Sequence, residues 1–441
     1  MEYIKEMQSK STVEVSELYQ HAGKVVRIKG TIHKIREMSE FAFVILRTRR
    51  ELLQCVYSAE RAQCNLNIAA EGCACIIEGE VVADRRVMNG AEIHIINIEV
   101  LSTPADSLPV VINKKKLDIS LDTNLTYRPV SLRNPSERAI FKIQEGIVRG
   151  FREYLLKQGF TEIRTPKIVF AGAEGGANIF KLDYFGKQVY LAQSPQFYKQ
   201  TMVGVFERVF EVAPVYRAEK HDTSRHLNEY ISLDFEMGFI NDFTEIMQME
   251  TGMLKYMFQL LDAEYGNELE LLNVKVPRLE SVPAMKFMDA KKIIADEYRR
   301  EITDYHDFEP EEEQLLCEYA KKKFNSEFIF VTHYPSSKRP FYAMDDKNDP
   351  NYTLSFDLLY NGLEVTTGGQ RIHDYKQQVE KMVKRGMNPD EFQSYLMVHK
   401  CGIPPHGGLG AGLERLTMKF LGLGNIRNAC LFPRDMNRVT P

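Results

Sequence analysis

The chain has 441 residues, 44% of them hydrophobic and 27% charged, with a formal net charge of −4. That length is too great for one ordinary core and implies two or three domains of a soluble globular protein, while the net charge excludes no partner because a local basic face can still bind nucleic acid. Seven scattered cysteines, with Cys73 and Cys75 the only close pair, exclude ordinary zinc spacing and fit a reducing, cytoplasmic setting; no apolar run approaches the roughly 20 residues of a membrane span.

Residues 1–21 read as a short polar extension with helical tendency and no assigned role. From Lys24 the pattern turns to short strands, with Val26, Ile28, Gly30 and Ile32 alternating with Val25, Arg27, Lys29 and Thr31. Further runs follow at 41–47, 52–57, 74–82 and 92–101, and in the last the apolar phase slips between Ile95 and Ile96, which predicts a bulge. Five strands in about 80 residues predict a small barrel over 22–103, for which the OB-fold is one solution. In the 41–47 strand, Ala42, Val44 and Leu46 can face the core. Phe43 then lies outward near Arg47, Arg49 and Arg50, either as a stacking platform for an unpaired base or packed beneath a loop.

Prolines and a lysine cluster mark 104–134 as an ordered linker. Asn134-Pro135-Ser136-Glu137 opens a helix with apolar residues at 140, 143, 147, 151 and 155, ended by Gly159. The segment 160–168 reads as an edge strand because Pro166 cannot donate to a ladder. A Gly-rich loop surrounds Glu174. Residues 209–216 and 230–237 read as strands joined by a long loop carrying Arg217, Glu219, Lys220, His221, Arg225 and His226, with Tyr230 at its root. Guanidinium groups suit phosphate and an aromatic face suits a base, although a solvated hairpin tip would carry the same charges.

A long helix is expected from Asp242 to about Leu261, and another from Pro310, where Glu311–Glu313 complement the helix dipole. Asn361-Gly362 predicts a hairpin turn between two strands. Residues 402–416 read as a Gly-rich entry to a helix, whose open amides would favour an anion, with Arg415 one turn inside, although glycines there would serve close packing equally well.

Three of these segments, taken in order, resemble the signature motifs of class II aminoacyl-tRNA synthetases: the helix and strand ending in Pro166, the strand-loop-strand with Tyr216-Arg217-Ala218-Glu219, and the glycine strand and helix with Leu413-Glu414-Arg415. The preceding barrel resembles the aspartate, asparagine and lysine subgroup. AEGGANIF, LAQSPQFYKQ, HLNEYISLDFEM and LEVTTGGQRIHDY resemble the aspartyl-tRNA synthetases of archaeal and eukaryotic type, over about 22–441.

The resemblance implies an α+β protein: an N-terminal five-stranded OB-fold barrel that binds the anticodon, then a class II catalytic domain over 135–441 built on an antiparallel sheet flanked by helices. It implies aspartate activation by ATP and transfer to the 3′-terminal adenosine of tRNA(Asp), by a cytoplasmic homodimer with Pro166 at the interface. Catalytic roles fall to Arg217, Glu219 and Arg415. Aspartate would meet Glu174, Gln196, Lys199, Arg217, Asp234, Thr367 and Arg371. ATP would meet Arg217, Ala218, Glu219, Arg225, His226, Leu227, Tyr230, Glu364, Gly412, Leu413, Glu414 and Arg415. Asp357, Glu364 and Thr367 would hold Mg2+ through oxygens. Phe43 would stack on an anticodon base and Gln54 bond its edge.

This sequence departs from the family pattern at Tyr230, where Phe is usual, at Thr367 for Ser, and at Thr31 for Trp. Lys199 is expected to choose aspartate over asparagine, since a buried ammonium would be left unpaired by a neutral amide. A related asparagine synthetase would lack the barrel, and a non-catalytic tRNA-binding relative would lack Arg217, Glu364 or Arg415; this chain has all of these.

Overall fold

The computed structural model describes residues 13, 15–49, 51–87, 90–172, 178–220 and 222–441. Arg50, Glu174 and His221 lie outside them. The chain divides into two compact units, residues 1–135 and 136–441.

In the first unit, β1 (Val25–Glu37), β2 (Phe41–Arg47), β3 (Leu52–Ser58), β4 (Ala74–Ala83) and β5 (Ala91–Ser102) close a barrel in the order β1-β2-β3-β5-β4. Strand alternation places Val26, Ile28, Val44, Leu46, Ile77 and Ile93 in its interior, with Ala42 buried on the same side of β2 as Val44, while Phe41 stays exposed and Phe43 and Ile45 are only half-buried. The expected bulge is present: Glu78 pairs with Asn97 and Gly79 with Ile95, so Ile96 is the extra residue. Part of the N-terminal extension does have a role. Val15–His21 forms a 3-10 turn whose Val15 and Leu18 are buried in the barrel core. The linker is ordered, with short helices α1 (Leu121–Thr126) and α2 (Arg128–Ser131).

The second unit opens with α3 (Pro135–Lys157), followed by β6 (Thr161–Glu162), β7 (Ile168–Val169), β8 (Lys181–Tyr184) and β9 (Lys187–Leu191). Next come α4 (Gln196–Phe206), β10 (Arg208–Tyr216), β11 (Glu229–Gly238), α5 (Thr244–Glu264), α6 (Gly266–Leu272), β12 (Ala284–Lys286), α7 (Phe287–Tyr298) and α8 (Pro310–Phe324). The chain ends with β13 (Phe328–Thr332), β14 (Ser355–Tyr360), β15 (Leu363–Arg371), α9 (Tyr375–Lys384), α10 (Gln393–Cys401), β16 (His406–Gly412) and α11 (Leu413–Phe420).

The main sheet runs β12-β13-β14-β15-β16-β11-β10-β6. Its six central strands are antiparallel, but both edge pairs, β12–β13 and β10–β6, are parallel. The expected strand around Pro166 is reduced to Thr161–Glu162, still at the sheet edge, and Pro166 is exposed beyond it. On one face, Phe210, Leu233, Phe235 and Leu409 join Ile143, Ile147 and Phe151 of α3 and Met257 and Leu261 of α5 in one apolar core. Burial of each such side chain contributes about 2 kcal/mol.

The Asn361-Gly362 hairpin forms with both residues at positive φ, +46° and +80°, as a primed turn needs. Of the two readings of the glycine run, the structure shows close packing and not an open anion cradle. Residues 406–412 are an interior strand paired to β11 and β15, so their amides belong to the ladder. Glycine serves close approach there: a Cβ on Gly408 would lie 2.1 Å from the Phe235 carbonyl and 2.3 Å from Glu236 Oε2.

Candidate functional site

The face of the sheet opposite α3 and α5 is polar, because strand period sends Ser232, Asp234 and Glu236 of β11 to that side while Leu233, Phe235 and Met237 go to the core. Strand β15 needs more than periodicity. Leu358 pairs with Thr366 but Leu359 with Glu364, leaving Val365 as the extra residue. This bulge brings Glu364 and Thr367 to one side, where the Thr367 hydroxyl donates to Glu364 Oε1 at 2.9 Å.

A cavity of about 400 Å³ opens over this face. Gln196, Lys199, Arg217, Glu219, Arg225, His226, Leu227, Tyr230, Asp234, Glu364, Thr367, Arg371, Gly412, Glu414 and Arg415 all line it. Thus α4, the two central hairpins, the loop between β10 and β11, and the start of α11 converge on one space. Three expected residues stand back from the lining. Ala218 donates its amide to the Asn178 carbonyl, Leu413 is a core residue, and Asp357 lies buried behind Arg339.

At one end of the cavity, Lys199 Nζ donates to Asp234 Oδ1 at 2.9 Å and to the Leu409 carbonyl at 2.8 Å, and lies 3.3 Å from Glu236 Oε2. Arg371 Nε donates to Glu236 Oε1 at 2.9 Å and Nη2 to the Gly408 carbonyl at 2.9 Å. Burial pushes the Glu236 carboxyl up, but Arg371 and then Lys199 outweigh it and hold the group below the usual carboxylate range. The idea that Lys199 would lack a charge partner without substrate is therefore overturned: two carboxylates already balance two cations. What remains open is an acceptor. Among the described residues, Asp234 Oδ2 is buried with no hydrogen-bond partner.

At the other end, Arg415 Nη1 donates to the Glu364 carbonyl at 3.1 Å and lies 3.6 Å from its Oε1. Arg225 Nη2 sits 3.2 Å from Glu313 Oε2. Glu313 was assigned only to the dipole of α8, yet it is 5% exposed, and burial, opposed by Arg225 and reinforced by Glu364, pushes its carboxyl up to about 7. Its role is in the charge network of the cavity. Glu414 accepts the Ile231 amide, and burial pushes it up to about 8. Tyr230 packs with Leu227, Leu363 and Ile426 in a small apolar cluster at the wall.

Glu236, Glu313 and Arg339 were missed by sequence reasoning. Nothing local marks them, since each acts through a partner distant in the chain. Arg339 lies 2.7 Å from Asp357 Oδ2 and 3.9 Å over the Tyr334 ring. Asp357 is raised to about 6 by burial, against the pull of Arg339 and with the repulsion of Glu364, and among the described residues its Oδ1 is buried without a hydrogen-bond partner. Two mutually repelling carboxylates, one with an unsatisfied oxygen, and a hydroxyl form an all-oxygen donor set of the kind a hard divalent ion takes. Among the described residues, no three His, Cys, Asp or Glu side chains cluster as a metal site.

In the barrel, Phe43 is half-buried on the outer face and meets Phe41 edge-on at 5.1 Å. Gln54 lies on β3, donating to Glu92 of β5 at 2.7 Å. No described helix is long and apolar enough to cross a membrane.

Residues 120–436 match the family described as class II tRNA synthetases (D, K and N), and residues 26–101 match the OB-fold nucleic acid binding domain. The chain is 46% identical over 428 residues to a Thermus thermophilus protein named aspartate–tRNA(Asp/Asn) ligase, covering 97% of this chain and 99% of the relative. It is 36% identical to a Pyrococcus abyssi aspartate–tRNA(Asp) ligase, covering 95% and 97%. Among solved structures, asparaginyl-tRNA synthetase from Pyrococcus horikoshii complexed with asparaginyl-adenylate superposes with a TM-score of 0.90 at 31% identity, covering 98% of this chain and all of that one.

Proposed function

Because the chain belongs to the class II tRNA synthetases of the aspartate, lysine and asparagine group, we propose that it is an aspartate–tRNA ligase acting on ATP, L-aspartate and tRNA(Asp). The observation that carries this reading is the convergence of Lys199, Arg217, Arg371 and Arg415 on one cavity. Two anionic reactants must meet there, and fixed cations lower the cost of bringing them together.

The aspartate side chain is received by Lys199 and Arg371, and its ammonium by the open oxygen of Asp234, with Gln196 beside it; the resemblance assigns Glu174, outside the described residues, to the same group. The triphosphate lies along Arg217, Arg225, His226 and Arg415, with the adenine against Tyr230 and the nucleotide positioned by Glu219. Glu364, Thr367 and Asp357 would hold Mg2+, which supplies charge neutralisation at the phosphates when bound. The substrate α-carboxylate is ionised at neutral pH, so no general base is required for its attack on the α-phosphorus. Arg217 orients that carboxylate and the α-phosphate in line, and pyrophosphate leaves. In the second step the 3′-hydroxyl of the terminal adenosine attacks the aspartyl carbonyl of the adenylate, the ester forms as the anhydride bond breaks, and AMP leaves.

The barrel binds the anticodon, with Phe43 stacked on a base and Gln54 at a base edge. The protein acts in the cytoplasm as a homodimer joined near Pro166. A second reading, that tRNA(Asn) is also charged with aspartate, is favoured by the name of the 46% identical relative. Charging purified tRNA(Asp) and tRNA(Asn) with labelled aspartate and asparagine tests both readings. Aspartyl transfer to tRNA(Asp) is expected, and asparagine transfer alone would overturn the assignment.

A further inference from the structure

The outer wall of the barrel holds a second cavity, of about 340 Å³, whose lining includes Lys34, Arg36, Ile45, Leu52, Gln54 and Arg86. Three cations beside an apolar floor suit a nucleotide, phosphate on one side and base on the other. His33 lines the same space, is 2% exposed, and among the described residues has no hydrogen-bond partner at either ring nitrogen. A buried imidazole left in that state marks a wall that completes its hydrogen bonds with something bound.

Gln54 reaches this cavity in one fixed orientation. Its Nε2 donates to Glu92 Oε2 at 2.7 Å. A carboxylate only accepts, so the amide nitrogen must face Glu92 and the amide oxygen must face away from it. Glu92 cannot easily swing aside, because it is 8% exposed and its other oxygen, Oε1, lies 3.0 Å from His94 Nε2. His94 is in turn 2.9 Å from Arg61. Among the described residues, Gln54 Oε1 has no hydrogen-bond partner.

We propose that Glu92 is a positioning residue for tRNA recognition: it locks the Gln54 amide so that only its oxygen meets the base, making this site selective for a base edge that donates. This rests on the reading of the barrel as the anticodon-binding domain with Gln54 at a base edge. With the Gln54 oxygen set against ring N3, uracil donates its N3–H to it, whereas cytosine presents a lone pair at that atom and donates only from its exocyclic N4. The genetic code gives aspartate and asparagine anticodons a uracil at the middle position, which is the base this geometry accepts. A freely rotating glutamine would serve both pyrimidines, since turning the amide converts its acceptor into a donor.

The test compares charging kcat/KM for tRNA(Asp) transcripts with uracil or cytosine at the middle anticodon position. Glu92→Gln, which can donate as well as accept, is expected to narrow the wild-type preference for uracil by roughly tenfold. The double exchange Gln54→Glu with Glu92→Gln keeps an acceptor facing the cavity and a donor behind it, and is expected to restore the preference to within a few-fold of wild type. Wild-type preference in Glu92→Gln, or an exchange variant no better than the single one, would overturn the proposal. Gln54→Ala separates the two layers. If it narrows the preference while Glu92→Gln does not, only the role of Glu92 fails; if it leaves the preference intact, the reading of Gln54 itself fails.

Discussion

Lys199 Nζ lies 2.9 Å from Asp234 Oδ1, with the two side chains only 2% and 3% exposed. The pair is one half of a four-charge cluster completed by Glu236 and Arg371. The four charges are therefore balanced within the cluster itself. On the proposed function, selection for an acidic side chain would come from where the two cations are held, with Asp234 and Glu236 fixing their positions.

Lys199→Met should raise the KM for aspartate in pyrophosphate exchange by at least about a hundredfold, since a charge-assisted contact is lost and two buried carboxylates lose a counter-charge. Stability should fall by roughly 3–5 kcal/mol, the usual cost of breaking one side of a buried pair. Exchange kinetics and urea unfolding of the same preparation check both. An unchanged aspartate KM would remove Lys199 from the substrate site.

Glu250 lies on α5 with no exposed surface, and burial, only partly offset by the Thr366 hydroxyl, pushes its carboxyl up to about 8. A carboxyl raised in the native state binds more protons there than in the unfolded chain. Its favourable contribution is complete below the ordinary glutamate value near 4.5 and is lost as pH rises towards 8. Glu250→Gln should flatten that loss, gaining on the wild type by on the order of a few kcal/mol between pH 5 and pH 8. Parallel urea-unfolding curves at the two pH values would show that Glu250 does not titrate in this range.

Phe43→Ala should lower kcat/KM for tRNA charging about tenfold or more, the worth of one base stacked on an aromatic ring, through the tRNA term. Aspartate-dependent pyrophosphate exchange, which needs no tRNA, should change far less. Equal loss in the two assays would count against an anticodon role for this ring.

Much of this was legible in the sequence because the strands carry their period openly. β10 and β11 were read to within a residue of their ends from two apolar runs, and the Ile96 bulge from a slip in alternation. The glycine segment leaves two readings open, anion-binding turn or close packing, because a glycine turn and a glycine strand look alike in one dimension. Only the contact of Gly408 with Phe235 and Glu236 distinguishes them. The shared face of Glu364 and Thr367 depends on a bulge at Val365 that no periodic pattern announces. Glu236, Glu313 and Arg339 act through Arg371, Arg225 and Asp357, partners brought close only by sheet and helix packing.

Arg217, the residue after β10, lines the cavity that Lys199, Arg371 and Arg415 share. The most direct test of the proposed function is aspartate-dependent exchange of labelled pyrophosphate into ATP by Arg217→Ala. Loss of the carboxylate and α-phosphate clamp should lower kcat/KM by at least about a thousandfold, with the fold intact by circular dichroism. Exchange within a few-fold of the wild type would contradict it.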